Sequence, residues 1–282
     1  MICAWKELLS ILPINLRSAV DKQGRDTLQE LRLRIGKSPQ LILGKGQVSL
    51  SCPVSDADVN FVVNTASRYS PWAAASVAMG YITAPGGHRI GLCGEMTVNE
   101  SGNTVFRNLT SVCIRVARDY SGIGDKISSL PGNILILGPP GCGKTTLLRD
   151  LIRQISNRNR ESVCVVDERS ELFPISNHKF CFDTGVHTDI LTGSRKADGL
   201  DMAIRTMGPT CVAVDEITSQ QDADALVQAG WCGVRILATA HGGSSADMRT
   251  RPAYRQLVEK GLFNWLVVMD GDKSYRTERM VP

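Results

Sequence analysis

The stretch GPPGCGKTT (Gly138–Thr146) lies between the apolar run NILIL (Asn133–Leu137) and the segment LLRDLIRQI (Leu147–Ile155). An apolar run, a glycine-rich loop and a helical segment in direct succession predict a strand, a tight turn and a helix. The alternation continues downstream, where predicted helices separate the apolar runs SVCVVD, TCVAVD and VRILATA. This order predicts an α/β fold with a mostly parallel sheet that helices cover on both faces.

The glycine-rich loop matches the pattern G-x-x-x-x-G-K-[ST], which is typical of phosphate sites. Its glycines allow the backbone N–H groups to point inward, and the helix that follows adds the positive end of its dipole. Lys144 would bring a positive charge to the β- and γ-phosphates, and the hydroxyl of Thr145 would bind Mg²⁺. The candidate nucleotide-binding residues are Gly138, Pro139, Pro140, Gly141, Cys142, Gly143, Lys144, Thr145 and Thr146.

Acidic residues end two further predicted strands. They are Asp167, Glu168 and Glu171 after SVCVV, and Asp215 and Glu216 after TCVAV. Because parallel strands have their carboxyl ends at one edge of the sheet, we expect these acids on the phosphate side. Phosphate hydrolysis needs an acid that holds Mg²⁺ and a base that orients water, and we assign these roles to Asp215 and Glu216.

A third predicted strand ends in ATAH, with the polar residues Thr239 and His241. A polar pair at this edge could sense the γ-phosphate. A single histidine after a strand is also often structural, so the spacing leaves both interpretations open.

The residues before the glycine-rich loop have a different pattern. LQELRLRIG (Leu28–Gly36) alternates apolar and charged residues, which predicts a strand, and the segment from Ser55 to Ala66 begins with a capping signal and predicts a helix. GYITAPGGHRIGLCGEM predicts a hairpin around Pro85, and TVNESGNTVF predicts another turn between strands. We therefore expect a smaller α+β domain at residues 1–125 and the α/β domain at residues 126–282.

Composition narrows the possible function classes. The 282 residues include 32 basic and 28 acidic side chains, with no long basic run and only 5% aromatic residues, so we expect no nucleic-acid partner. Lys6, Glu7 and Pro13 interrupt the apolar character of the start, and no apolar run approaches the length of a membrane span. We expect a cytoplasmic protein that can dock peripherally at the inner side of a membrane.

The nine cysteines are odd in number and form no C-x-x-C pair, which favours reduced, mostly buried thiols. Cys142 lies beside Lys144 and a helix N-terminus, and such surroundings lower the pKa of a thiol. We predict that it is the thiol most easily alkylated. The alternative is that it packs behind the loop.

In their order along the chain, these motifs resemble those of the type II and type IV secretion and pilus-retraction ATPases. The chain resembles the stage III sporulation protein AA family more closely. Apart from the glycine-rich loop and the acidic strand ends, the signatures that carry this resemblance are LRLRIG, SRYS, GYITAPGGHRIGL, IRVAR, HTDIL, IRTMGP and ATAH.

The resemblance implies a RecA-like P-loop ATPase domain with ATP and Mg²⁺ as cofactors, in a homo-hexamer that assembles as a ring. It implies a motor at the cytosolic face of a membrane channel of sporulation proteins, between mother cell and forespore. The implied catalytic residues are Glu216, Glu168, Glu171, His241 and Arg205, and the implied metal ligands are Thr145, Asp215 and Asp167. Ring assembly would need a positive charge from a second subunit or from the first domain, and the candidates are Arg205, Arg115 and Arg118.

Two other functions stay open at this point. A RecA-like nucleic-acid-dependent ATPase would show turnover stimulated by DNA. A nucleotide-gated assembly scaffold would bind ATP with little turnover, although the intact Asp215–Glu216 pair argues against it.

Overall fold

A computed structural model describes residues 1–67, 77, 80–99, 102, 104–159, 161–176 and 179–280. The chain divides into two compact units. The first comprises Met1–Asp119 together with Pro174–Cys181, and the second comprises Tyr120–Phe173 and the residues from Phe182 onward. Within the described residues, no helix is both long and apolar enough to cross a membrane.

The first unit contains a six-stranded antiparallel sheet in the order β3-β2-β1-β6-β5-β4. Its strands are β1 Leu28–Arg34, β2 Gln40–Leu43, β3 Gly46–Ser49, β4 Tyr81–Thr83, β5 Arg89–Val98 and β6 Thr104–Arg115. The described helices of this unit are Trp5–Ser10, Ile14–Gly24 and Asp56–Ser67, with a 3₁₀ turn at Pro85–Gly87. The predicted alternation in β1 is confirmed, because Leu31 and Leu33 are buried while Arg34 is exposed.

Two further predictions about this unit, a helix cap and a hairpin, are confirmed. Ser55 caps the helix Asp56–Ser67, since its Oγ accepts from Asp58 N at 3.1 Å and its own N donates to Asp58 Oδ2 at 2.8 Å. Strands β4 and β5 pair around the 3₁₀ turn as a hairpin. The turn predicted between β5 and β6 lies partly outside the described residues.

The second unit contains a seven-stranded sheet in the order β11-β8-β12-β13-β7-β14-β15. Its strands are β7 Ile134–Gly138, β8 Val163–Asp167, β11 Thr188–Thr192, β12 Cys211–Val214, β13 Arg235–His241, β14 Trp265–Met269 and β15 Tyr275–Arg279. Its described helices are Asp125–Ser128, Lys144–Asn159, Lys196–Met207, Gln220–Trp231, Ser245–Thr250 and Pro252–Glu259. A separate pair, β9 Ile175–Ser176 and β10 Lys179–Phe180, lies in the segment assigned to the first unit.

The α/β fold with a mostly parallel sheet is confirmed in the second unit, where β15 alone among the seven strands runs antiparallel to its neighbour. Every residue of β7, β8 and β12 is buried, as expected for central strands covered on both faces. The sequence patterns did not predict strand β11. It is an edge strand with a half-buried pattern, so it lacks the continuous apolar run that marks the central strands.

Candidate functional site

The glycine-rich loop leaves the carboxyl end of β7, which lies between β13 and β14 in the sheet. Gly141 and Gly143 have φ angles of 77° and 103°, a backbone region that only glycine occupies without strain. Gly138 is required for a different reason, because a Cβ at this position would lie 2.6 Å from the sulfur of Cys142. The loop therefore needs all three glycines, two for conformation and one for close packing.

The helix that follows begins at Lys144. The N–H groups of a first helical turn have no partner within the helix, and the first bond back along this chain runs from Leu147 N to Gly143 O at 2.9 Å. The N–H groups of Lys144, Thr145 and Thr146 thus lie at the positive end of the helix dipole. This arrangement suits an anion such as a phosphate.

Lys144 is buried, and its ammonium group lies against the loop. Its Nζ donates to the carbonyl oxygens of Gly138 and Pro139, each at 3.0 Å, and lies 3.1 Å from Nδ1 of His241. Burial lowers the pKa of Lys144, and nearby acidic groups, among them Asp215 and Glu216, oppose that shift. The ammonium is thus held by neutral acceptors at the mouth of the loop.

His241 connects this lysine with one of the predicted acids. An ammonium group only donates hydrogen bonds, so Nδ1 of His241 accepts from Lys144 and its Nε2 carries the ring proton. Nε2 then donates to Oε1 of Glu216 at 2.9 Å. Arg169 lies on the other side of the same carboxylate, 3.8 Å from Oε2.

Asp215 lies between two threonine hydroxyls. Thr145 Oγ1 donates to Oδ2 at 2.7 Å, and Thr239 Oγ1 donates to Oδ1 at 2.5 Å. The structure thus joins the first helical turn after the loop to the end of β12. Thr239 itself is fully buried, and its hydroxyl bonds to the side chain of Asp215 and to the backbone N of Glu216.

Asp167 ends β8 and stabilises the loop that follows. Glu171 N donates to its Oδ1 and Phe173 N to its Oδ2, each at 2.9 Å. Its side chain is almost completely buried, and burial is the main reason why its pKa is raised to about 6, with the charge of Asp215 adding to the shift. Both carboxylate oxygens are therefore engaged by the backbone of the acidic loop itself, which we define as residues 167–173.

Two basic side chains that the sequence did not single out hold the acidic loop in place. Lys196 is buried, and its Nζ lies 2.5 Å from Oε2 of Glu168. Arg149, in the second turn of the helix Lys144–Asn159, donates to Leu172 O at 2.5 Å and to Glu171 O at 3.0 Å. No motif marks either residue, because each acts on a partner more than twenty positions away.

Two cavities adjoin these side chains. One of about 20 Å³ is lined by the acidic loop and strand ends: Asp167, Glu168, Arg169, Glu171, Lys196, Asp215 and Glu216. That volume is close to what a single water molecule needs. A larger cavity of about 570 Å³ is lined by Pro139, Pro140, His241, Gly242, Gly243, Arg251, Met269, Asp270 and Gly271.

The structure does not bring every candidate to this edge. Arg205 lies near the end of the helix Lys196–Met207, which starts beyond the carboxyl end of β11 and runs back for about 18 Å toward the opposite edge. Its exposed guanidinium pairs with Asp201 at 2.8 Å. In the first unit, Arg115 lies 3.6 Å from Glu30, and Arg118 donates to the carbonyl oxygen of Arg25 at 2.9 Å.

The burial of Cys142 argues against the prediction that it is the thiol most easily alkylated, although it lies beside the helix N-terminus as expected. Its side chain is only 1% exposed and packs against Gly138, whereas Cys93 and Cys232 are exposed. The alternative interpretation, in which the thiol packs behind the loop, describes its position.

The residues at this edge suit a nucleoside triphosphate with Mg²⁺. Among the described residues, no three His, Cys, Asp or Glu side chains converge as a self-sufficient metal site. Mg²⁺ in phosphate sites requires less, since one or two protein oxygens, phosphate oxygens and water complete its shell. Thr145 and Asp215, in direct contact beside the N-terminus of the helix, carry oxygens that could fill this role.

Comparisons with known proteins agree with the fold and the motifs. The chain matches the family described as "Sporulation stage III, protein AA" over residues 4–279. The stage III sporulation protein AA of Bacillus subtilis (strain 168) is 36% identical over 277 residues, which cover 92% of this chain and 88% of that protein.

Two solved structures share the fold at low sequence identity. The pilus retraction motor PilT, with bound ADP, has a TM-score of 0.60 and 14% identity, and the match covers 95% of this chain and 78% of that one. The ATPase DotB of Legionella pneumophila has a TM-score of 0.57 and 15% identity, over 85% of this chain and 71% of that one. At these identities, the likeness shows the fold alone.

Proposed function

The chain belongs to the sporulation stage III protein AA family, and we propose that it hydrolyses ATP with Mg²⁺ at the carboxyl edge of its parallel sheet. The observation that carries this proposal is a pair of hydrogen-bonded contacts between neighbouring residues: Thr145 bonds to Asp215, and Lys144 bonds through His241 to Glu216. These contacts support the proposal because they join the first turn of the helix Lys144–Asn159 to the ends of β12 and β13.

In this proposal Lys144 and the N–H groups of the first helical turn bind the phosphates. Lys144 donates to two loop carbonyls and to His241, so its contact with a phosphate oxygen would weaken one of these bonds. Thr145 and Asp215 hold Mg²⁺, which when bound neutralises charge on the transferred phosphoryl group.

Glu216 is the residue that orients water and accepts its proton. The carboxylate contacts His241 on one oxygen and Arg169 on the other, so its direction is set from both sides. Nε2 of His241 donates to one carboxylate oxygen of Glu216, which orients the group that we assign as the base.

The acidic loop supports this site in separate ways. Glu168 and Glu171 border the small cavity beside Asp215 and Glu216, where we propose that they act on the water shell of the metal. Asp167, with both oxygens bonded to backbone N–H groups, shapes the loop, and direct metal binding is left to Thr145 and Asp215.

We further propose the assembly that membership of the family suggests: a hexameric ring that serves as a motor at a membrane channel of sporulation proteins between mother cell and forespore. Arg205 would then act on the site of a neighbouring copy, which fits its exposure and its position away from the loop of its own chain. Mass measurement with and without a non-hydrolysable ATP analogue tests the ring. Mixing Lys144→Ala with Arg205→Ala subunits tests the shared site, because activity should partly return only if Arg205 acts on another copy.

Steady-state ATP hydrolysis at a protein concentration that permits assembly tests the catalytic proposal. Lys144→Ala should lose turnover. Glu216→Gln should keep ATP bound and stop hydrolysis, since an amide accepts no proton from water. Nucleotide binding by the unmodified chain without Mg²⁺-dependent turnover would instead identify a nucleotide-gated scaffold.

A further inference from the structure

The main chain of residues 215–217 depends on one residue of the neighbouring strand. The parallel ladder between β12 and β13 ends at the pair Val214 and Ala238. Beyond that pair, Thr239 makes the next contacts, through both its side chain and its carbonyl group.

Thr239 binds three consecutive residues. Its Oγ1 donates to Asp215 Oδ1 at 2.5 Å and accepts from Glu216 N at 2.7 Å, and its carbonyl oxygen accepts from Ile217 N at 2.8 Å. One hydroxyl thus bonds to the side chain of one acid and to the main chain of the next. The hydroxyl uses its single proton on Asp215 and a lone pair on Glu216, so both of its bonds are chemically consistent.

Glu216 needs such a partner because its backbone is unusual. Its φ is 57°, in the left-handed region that residues other than glycine, asparagine and aspartate rarely adopt. A residue persists there only when its surroundings hold it, and such residues cluster at functional sites. The bond from Glu216 N to Thr239 supplies that restraint, while His241 and Arg169 restrain the far end of the side chain.

We infer that Thr239 is a positioning residue, whose buried hydroxyl sets the backbone of Glu216 and the carboxylate of Asp215 for hydrolysis. It contacts neither phosphate nor water in this role. The inference rests on the proposed ATP hydrolysis for its catalytic consequence, but the hydrogen bonds themselves can be measured without nucleotide.

The experiment compares Thr239→Val, which keeps the branched shape and removes the hydroxyl, with Thr239→Ser, which keeps the hydroxyl. The first readout is amide hydrogen exchange of the peptide that contains Val214–Ile217, in the full chain without nucleotide. Thr239→Val should expose the Glu216 amide to exchange, and Thr239→Ser should protect it as the unmodified chain does. Thr206→Val is a matched control, since that hydroxyl donates to Met202 O on the exposed face of a helix and its loss should leave the peptide unchanged.

The second readout separates kcat from nucleotide affinity. Thr239→Val should lower kcat by about 10²-fold, the effect of displacing a reacting group by about 1 Å, and change the affinity for a fluorescent ADP analogue by less than about threefold. Thr239→Ser should recover most of the rate. Thr239→Ala serves in place of Thr239→Val if the valine variant fails to fold, with the same expected results.

Unchanged exchange at Glu216 in the variants without a hydroxyl would overturn the inference. So would a kcat within threefold of the unmodified chain, or a serine variant as slow as the valine variant. If the unmodified chain hydrolyses no ATP, the proposed function fails, and the exchange experiment still decides whether Thr239 positions these acids.

Discussion

Replacing Arg149 with methionine tests how the helix after the glycine-rich loop organises the acidic loop. Arg149 is 5% exposed, donates to the carbonyl oxygens of Leu172 and Glu171, and lies with its guanidinium 4.2 Å from the ring centre of Phe182. Methionine keeps an apolar stem of similar length and removes the charge and the donors. The two carbonyl groups then lose a cationic partner in a buried position.

The size of the effect follows from these contacts. Hydrogen bonds that involve a charged group contribute about 1.5–3 kcal/mol each, and relief of the buried charge offsets part of the loss. We therefore expect a decrease of about 3 kcal/mol in the free energy of unfolding. For a unit of this size that corresponds to a decrease of about 6–12 °C in Tm.

The assay combines thermal unfolding with amide hydrogen exchange of the acidic loop, residues 167–173. A matched control lies on the same helix, because Arg158 has a 55% exposed side chain and pairs at 3.2 Å with Asp125, which is equally exposed. Arg158→Met should change the free energy of unfolding by less than about 1 kcal/mol. The reasoning is refuted if both variants lower Tm equally, or if Arg149→Met leaves exchange in the acidic loop unchanged.

Three further outcomes follow from buried groups at the site. The pKa of Asp167 is raised to about 6, so its contribution to stability is complete below about pH 4 and is lost as pH rises through 6. Relative to Asp167→Asn, the free energy of unfolding of the unmodified chain should rise by about 1 kcal/mol as the pH falls from 7 to 5, which Tm measurements at both pH values would detect. A pH-independent difference between the two proteins would contradict this. Brief alkylation followed by peptide mapping should label Cys93 and Cys232 before the buried Cys142, and early labelling of Cys142 would show that the loop opens. Gly138→Ala should weaken nucleotide binding and lower Tm, since the new Cβ would lie 2.6 Å from the Cys142 sulfur and 3.1 Å from both Cβ and the carbonyl oxygen of Met269. Adding Cys142→Gly should recover part of both, because the contacts with Met269 remain.

The sequence alone identified those features that short segments encode. The order of strand, glycine-rich loop and helix is legible because apolar runs, glycines and helical spacing are properties of neighbouring residues. The α/β alternation of the second unit, the antiparallel hairpin around Pro85 and the family resemblance all depend on such local patterns. Acids at the ends of predicted strands could be expected at one edge because parallel strands share their direction.

The tertiary structure alone decided which side chains meet at that edge. Thr145 bonds to Asp215 across 70 positions of sequence, and Lys144 lies beside His241 across 97. These residues meet because β7 and β12 both lie beside β13 in the sheet. The order of strands in a sheet cannot be read from the sequence of any single strand.

The same limit explains the residues that sequence patterns missed or misread. The place of Thr239 near the end of a strand could not show that its hydroxyl bonds to Asp215 and to the backbone N of Glu216, just beyond the neighbouring strand β12. Lys196 and Arg149 carry no motif, since a buried cation is defined by the partner that compensates its charge, and those partners lie on the acidic loop. Local sequence patterns determine whether each segment forms a helix, a strand or a turn. Tertiary packing determines which groups each polar side chain contacts, because a buried polar group is stable only where the fold supplies a hydrogen-bond partner.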